Sequence, residues 1–181
     1  MTTTISAPAS RAFPAFDEHT APQGARPALA AARQAFGMLP APLRRYALSP
    51  AVLLAAQSGH VAFEGTSLAP LEREVVALAV VDRNGCEYCR ALHRGILRRM
   101  RVDATLREAL LAGAPLADPR LEALRRFTLE VLDTTGDVGE AAWSEFLAVG
   151  FDRAHALDVV LGVATYTLST LANRLTQAPV D

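Results

Sequence analysis

Pro70-Leu71-Glu72-Arg73-Glu74-Val75-Val76-Ala77-Leu78-Ala79-Val80-Val81-Asp82-Arg83 is the stretch on which the fold turns. Its two valine pairs suggest a buried strand, because β-branched side chains suit a pleated surface. Leu71, Glu74, Ala77 and Leu78 flank them at helical spacing, however, and a proline stands where helices favour one, at the first position. Read as a helix and turned by about 100° per residue, the segment gathers Leu71, Glu74, Val75, Leu78 and Val81 on one stripe. Glu74 is then a carboxylate on an apolar face. Left ionised without partners it would cost several kcal/mol, so it must bind its proton more tightly or join a hydrogen-bond network. Both are marks of a general base.

Outward from this segment the pattern stays helical. Pro27 to Phe36 closes on Gly37, a short segment follows Pro42, and Pro50 opens a run that stops at Gly65. On the other side a helix runs from Cys86 to about Arg101, and further helical patterns cover roughly 103–112, 119–133, 139–149 and 152–175. Asp103, Asp118, Asp137 and Asp152 stand near their starts as caps. The expectation is one all-α domain over residues 27–181, without a parallel sheet, which disfavours the thioredoxin fold. Residues 1–26, rich in Thr, Ala, Ser and Pro, read as a poorly ordered arm.

The chain has two cysteines and four histidines, and both cysteines and one histidine fall in Cys86-Glu87-Tyr88-Cys89-Arg90-Ala91-Leu92-His93. On a helix, steps of three and four return to one face, so Cys86, Cys89 and His93 share a stripe with Ile96, Leu97 and Met100. Asn84-Gly85 breaks the two helices apart, with Asn84 the expected cap. An antiparallel pair brings Glu74 towards His93 and the thiols. Cys86 would sit in the first turn, where the helix dipole favours a thiolate.

Composition narrows the function classes. With 181 residues and a net charge of −1, the chain has one core's worth of sequence and no overall basic footprint for nucleic acid. No uninterrupted apolar run approaches the roughly 20 residues that span a bilayer, and Met1 to Ser10 lacks the features of a secretory signal. The expected setting is the cytoplasm, without membrane attachment, where a C-x-x-C pair is redox-active or metal-binding more often than structural. All 18 basic residues are arginine, which excludes Schiff-base chemistry and a P-loop lysine.

Glu74, Cys86, Tyr88, Cys89 and His93, in this order and spacing, resemble the active-site pattern of the alkyl hydroperoxidase D and carboxymuconolactone decarboxylase-like family. The Pro40 to Pro50 stretch and Asn173-Arg174-Leu175 add a weaker likeness that extends it over most of the chain from Pro27. The resemblance implies an all-helical, alkyl hydroperoxidase D-like fold, a homo-oligomer of three subunits or a multiple, and a thiol-dependent peroxidase or disulfide reductase. It implies a hydroperoxide substrate and an external thiol reductant, with no cofactor or metal. Cys89 resembles the peroxidatic cysteine, Cys86 the resolving thiol and proton donor, and Glu74 with His93 the proton relay. Tyr88 stands where alkyl hydroperoxidase D has histidine; a phenol donates a hydrogen bond but is a poor base at neutral pH. The helix-terminus argument, by contrast, favours Cys86 as the attacking thiolate.

Other readings compete. Cys86, Cys89 and His93 with Glu74 or His155 would make a zinc set, and two buried cysteines can simply pack as small hydrophobes. Decarboxylase or lactone chemistry would use Glu and His as acid and base without needing the cysteine pair, and a non-enzymatic redox-sensing helical module would use the pair without turnover. His60 and His155 read as lining or capping residues. Arg90, Arg94, Arg98, Arg99 and Arg101 read as a solvated face. Trp143, Phe146, Tyr166 and the series Leu157, Leu161, Leu168, Leu171, Leu175 read as core or subunit interface.

Overall fold

The computed structural model describes residues 12–180. Among them the backbone forms nine α-helices and no strand: α1 Arg26–Phe36, α2 Ala41–Tyr46, α3 Pro50–Glu64, α4 Pro70–Asn84, α5 Glu87–Arg99, α6 Ala104–Leu111, α7 Pro119–Asp133, α8 Glu140–Ala148 and α9 Arg153–Thr176. The valine pairs lie in α4, the central helix. Every residue from Glu74 to Val81 is buried, because α4 packs along α9 and α7 and also touches α3, α5 and α6. The single buried stripe expected from periodicity is therefore too narrow, and valine serves a helix that has neighbours on nearly every side.

Helix α9 divides the leucine series: Leu161 and Leu168 pack against the apolar clusters, and the other three lie on the outer face. Its inward residues are Ala156, Val159, Gly162, Thr165, Ser169, Thr170, Asn173 and Thr176, while Leu157, Leu171 and Leu175 face out, Leu157 being 71% exposed and Leu175 70%. Close approach to α3 and α4 selects small side chains, and the hydroxyls are satisfied within the helix: Ser169 Oγ donates to the Thr165 carbonyl at 3.1 Å and Thr176 Oγ1 to that of Ala172 at 2.8 Å. By length and composition α9 is apolar enough to cross a membrane; in this fold it packs against α2, α3, α4 and α7.

Gly162 shows how close the approach is. A β-carbon there would lie 2.6 Å from Phe63 Cε2 and 2.7 Å from Val76 Cγ1. Gly162→Ala gains about 1 kcal/mol of helix propensity but overpacks the crossing by about 3 kcal/mol. The expected net effect is a melting temperature lower by about 4–8 °C. A variant melting at or above wild type would mean that α9 can move off α3 and α4 at no cost.

Two apolar clusters result. The larger joins α4, α5, α7, α8 and α9, with a stack of Phe127, Phe146 and Phe151 beside Trp143. The smaller lies under α1, α2 and α3 and contains Ala21, Ala25, Leu29, Tyr46 and Leu53. Residues 12–26, the described part of the segment expected to be a poorly ordered arm, contribute to it. Ala21 and Ala25 are buried, the Phe16 N–H donates to the Arg44 carbonyl at 2.9 Å, and Glu18 pairs with Arg33 at 2.6 Å. Small residues that looked like disorder fit beneath closely packed helices. The part of that arm spanning 1–11 lies outside the described residues.

Asp103, Asp118 and Asp152 cap α6, α7 and α9 as expected, and His155 completes the last cap from its side chain. Asp137 does not cap α8, which begins after Gly139. Arg90 is no solvated charge either: it donates to Asp82 Oδ1 at 2.9 Å and to the Leu111 carbonyl at 2.6 Å, tying α5 to α4 and α6.

Candidate active site

The site is set by how α4 ends. Gly85 takes φ +61°, in the left-handed region that glycine enters without penalty, and the Cys86 N–H turns back to the Val81 carbonyl at 3.2 Å. Asn84 is not the cap of α5. It is the last residue of α4, and its Nδ2 donates to Thr170 Oγ1 at 2.8 Å while Arg174 donates to its carbonyl, so α4 is pinned to α9 at the turn.

The cap is Cys86 itself. Its sulfur accepts the Cys89 N–H at 3.3 Å, in the place that a serine or aspartate oxygen usually takes. An acceptor there, facing the positive end of a helix, is strongest as an anion. Both cysteines are free thiols, 1% and 5% exposed, with their sulfurs 2.6 Å apart. A disulfide needs about 2.05 Å, so only a small approach separates them from a bond.

The pair holds one proton unequally. The hydrogen bond from Cys89 pulls the Cys86 thiol down to about 6 against its burial, helped by the Cys89 N–H, the Asn173 amide and His93. The same bond, with burial and the adjacent charge, pushes the Cys89 thiol far above its usual range. The resting charge is therefore on Cys86 and the proton on Cys89.

This makes the reduced protein's stability depend on pH. The folded chain releases the Cys86 proton near pH 6, whereas an unfolded thiol releases it near about 8.5. Between these values the unfolded state holds more protons, so stability rises with pH across the window and is lost as pH falls through about 6. Cys89 stays protonated in the folded state and begins to ionise in the unfolded state only towards the top of the window, where it opposes the rise. Thermal melts of reduced wild type should show this rise and those of Cys86→Ser should not; equal slopes would remove the charge from Cys86.

Next to the thiols, Glu74 Oε2 lies 2.8 Å from His93 Nδ1, and both side chains are buried. α4 supplies the carboxylate and α5 the imidazole, the juxtaposition that the antiparallel pairing implied. A carboxylate on Nδ1 fixes the ring's orientation and leaves Nε2 as its other proton-carrying position. Of the rest of the expected stripe, Ile96 is half-buried, Leu97 buried and Met100 exposed. Tyr88 is half-buried against the larger cluster.

Tyr166, expected only to pack, stands edge-on to His93 at 5.3 Å, to His60 at 5.1 Å and to Phe63 at 5.9 Å. Burial first, and His93 second, pull His60 down to about 4, so its ring is neutral. His155 is occupied by Asp152 at the start of α9. Among the described residues no group of three or more His, Cys, Asp or Glu side chains is placed to hold a metal ion.

Two side chains that complete the thiol site, Asn173 and behind it Tyr46, were given no role there by the sequence reading, although both lie in stretches that added to the family likeness. Asn173 Nδ2 lies 3.2 Å from Cys89 Sγ and 3.8 Å from Cys86 Sγ, and Asn173 Oδ1 accepts from Tyr46 Oη at 2.5 Å. The available signal was the polar series Thr165, Ser169, Asn173, Thr176 at steps of three and four on an otherwise apolar helix.

Residues 50–130 match the model of the Carboxymuconolactone decarboxylase family, a span that contains Glu74 and the whole of Cys86 to His93. The fold is that of the alkylhydroperoxidase AhpD core. An uncharacterized peroxidase-related protein from Ralstonia eutropha, described as having that core, superposes with a TM-score of 0.81 at 24% identity, covering 97% of this chain and 94% of that one. An uncharacterized peroxidase-related protein from a Silicibacter species gives 0.74 at 23% identity, covering 88% and 86%. A comparison with curated proteins found no match.

Proposed function

We propose that this chain, which has the fold of the alkylhydroperoxidase AhpD core and matches the Carboxymuconolactone decarboxylase family over residues 50–130, is a dithiol peroxidase that reduces hydroperoxides at Cys86 and Cys89. The observation that carries this reading is the thiol pair: two sulfurs 2.6 Å apart sharing one proton at a helix N-terminus, with a buried carboxylate–imidazole pair supplied by α4 and α5. Decarboxylation has no use for such a pair.

Cys89 is the attacking sulfur and Cys86 its base. Cys86 thiolate takes the Cys89 proton across the short contact, and Cys89 attacks the terminal peroxide oxygen, breaking the O–O bond. The Cys86 thiol returns the proton to the leaving alkoxide, giving an alcohol and Cys89 sulfenic acid. Cys86, a thiolate again, attacks the sulfenic sulfur and expels hydroxide, which the Glu74–His93 pair protonates. The dithiol loses two electrons and the peroxide gains two. Tyr88 contributes a hydrogen-bond donor at the mouth of this sequence. An external dithiol reduces the disulfide by thiol–disulfide exchange, which suits a reducing compartment such as the cytoplasm.

The test is consumption of an organic hydroperoxide with a dithiol as the only reductant. Catalytic turnover that vanishes in the Cys86→Ser/Cys89→Ser double variant is expected. Oxidation of the thiols without turnover would favour a redox sensor, and loss of neither thiol on adding peroxide would end the peroxidase reading.

The enzyme of this proposal is a homo-oligomer, three subunits or a multiple. Supporting it are the exposed leucines of α9 and an open apolar groove of about 540 Å³ between α2, α3 and α9, walled by Leu48, Val52, Leu168, Leu171 and Leu175. A second copy of this chain would cover them, since a surface this apolar is costly in water. Light scattering at micromolar concentration should give three or more chain masses; a monomer would refute it.

A further inference from the structure

The thiol pair needs a hydrogen-bond donor turned towards it, and an asparagine can offer either a donor or an acceptor from the same place. We infer that Asn173 is a positioning residue that keeps the negative charge on the Cys86–Cys89 pair, and that the Tyr46 hydroxyl sets it by holding the amide with its N–H, not its carbonyl, towards the sulfurs. This rests on the dithiol reading above, though not on peroxide being the oxidant.

The geometry supplies each step. Asn173 is buried on α9, with Nδ2 3.2 Å from Cys89 Sγ and 3.8 Å from Cys86 Sγ. Rotating the amide by half a turn would change its shape little and would set a carbonyl oxygen against a thiolate, replacing attraction with repulsion. What breaks this near-symmetry is Tyr46 Oη, 2.5 Å from Asn173 Oδ1 and itself buried. Burial first, then the charge of the neighbouring cysteines, keeps this phenol protonated, so it remains a donor wherever the thiolate exists.

Tyr46 has one hydroxyl hydrogen and two acceptors, Asn173 Oδ1 and the Ser169 carbonyl at 2.9 Å. When the hydrogen serves Asn173, the amide N–H faces the sulfurs. When it turns to Ser169, the phenol oxygen accepts instead, and the amide can reverse. The orientation at the thiols is therefore decided by a residue of α2 that belongs to the smaller apolar cluster, not to the one that holds the cysteines. α9 is kept in register for this contact by the Asn84–Thr170 hydrogen bond one turn earlier.

The experiment is a pH titration of the reduced protein, following thiolate absorbance in the ultraviolet and the rate of alkylation, in wild type, Tyr46→Phe and Asn173→Asp. Tyr46→Phe keeps the ring and removes only the hydroxyl. Its thiolate midpoint should rise by about one unit, and its alkylation rate near the wild-type midpoint should fall about three- to tenfold. Asn173→Asp puts an acceptor or a like charge on the sulfurs and should raise the midpoint further. A merely structural role would lower the melting temperature and leave the midpoint in place. Folded Tyr46→Phe and Asn173→Asp proteins with the wild-type midpoint would overturn the assignment; if Asn173→Asp does not fold, Tyr46→Phe alone decides it. Hydroperoxide turnover in the same wild-type sample separates the two readings, because its absence would end the peroxidase proposal while a shifted midpoint still upheld the role of Asn173.

Discussion

Cys89→Ser is expected to abolish hydroperoxide consumption, a loss as large as the assay can register, because no sulfenic acid can form at the attacking position. Cys86→Ser is expected to behave differently. It removes the base and the resolving thiol together, so a single slow oxidation of Cys89 should remain and no disulfide should follow. The contest between the sulfurs is real. The cap geometry and the hydrogen bond from Cys89 leave the resting charge on Cys86, whereas the family resemblance makes Cys89 the nucleophile. A proton moving across 2.6 Å reconciles them, since the charge need not rest on the sulfur that attacks. Mass spectrometry after one equivalent of peroxide decides the matter. A stable sulfenic adduct on Cys86 in the Cys89→Ser protein would reverse the roles and make the resting thiolate the nucleophile.

What the sequence disclosed follows from the range over which each signal acts. The thiols, His93 and Glu74 lie within twenty residues on two consecutive helices, so periodicity alone placed them on facing stripes. Asn173 reaches the sulfurs and Tyr46, 127 residues away in sequence, holds it there, and no local pattern encodes that meeting. The leucines of α9 could not be divided between core and outer face for a related reason. Hydropathy marks which face avoids water, but α9 approaches α3 and α4 so closely that Gly162 and small hydroxyl residues fill the crossing, which turns Leu157, Leu171 and Leu175 outward. The cap of α5 was displaced from Asn84 to Cys86 because a sulfur is a weak acceptor until charged, and the sequence does not show that charge.

Glu74→Gln is the substitution that distinguishes a proton relay from a buried carboxylate that merely joins α4 to α5. Glutamine keeps the shape and can still accept from His93 Nδ1, where the carboxylate now stands at 2.8 Å, but it cannot take a proton. If Glu74 serves with His93 as the proton-exchanging pair, turnover near neutral pH should fall by about 10² to 10⁴ while the melting temperature changes little. If it is structural, the order reverses. Removing its charge from a site where Glu74 and His93 are both buried should then alter the melting temperature first and leave disulfide formation and turnover nearly intact. The readout is the rate of disulfide formation and of turnover from about pH 6 to 9, with a thermal melt on the same sample. A Glu74→Gln protein that forms its disulfide and turns over at wild-type rates over that range would take Glu74 out of the mechanism and leave His93 to handle the proton alone.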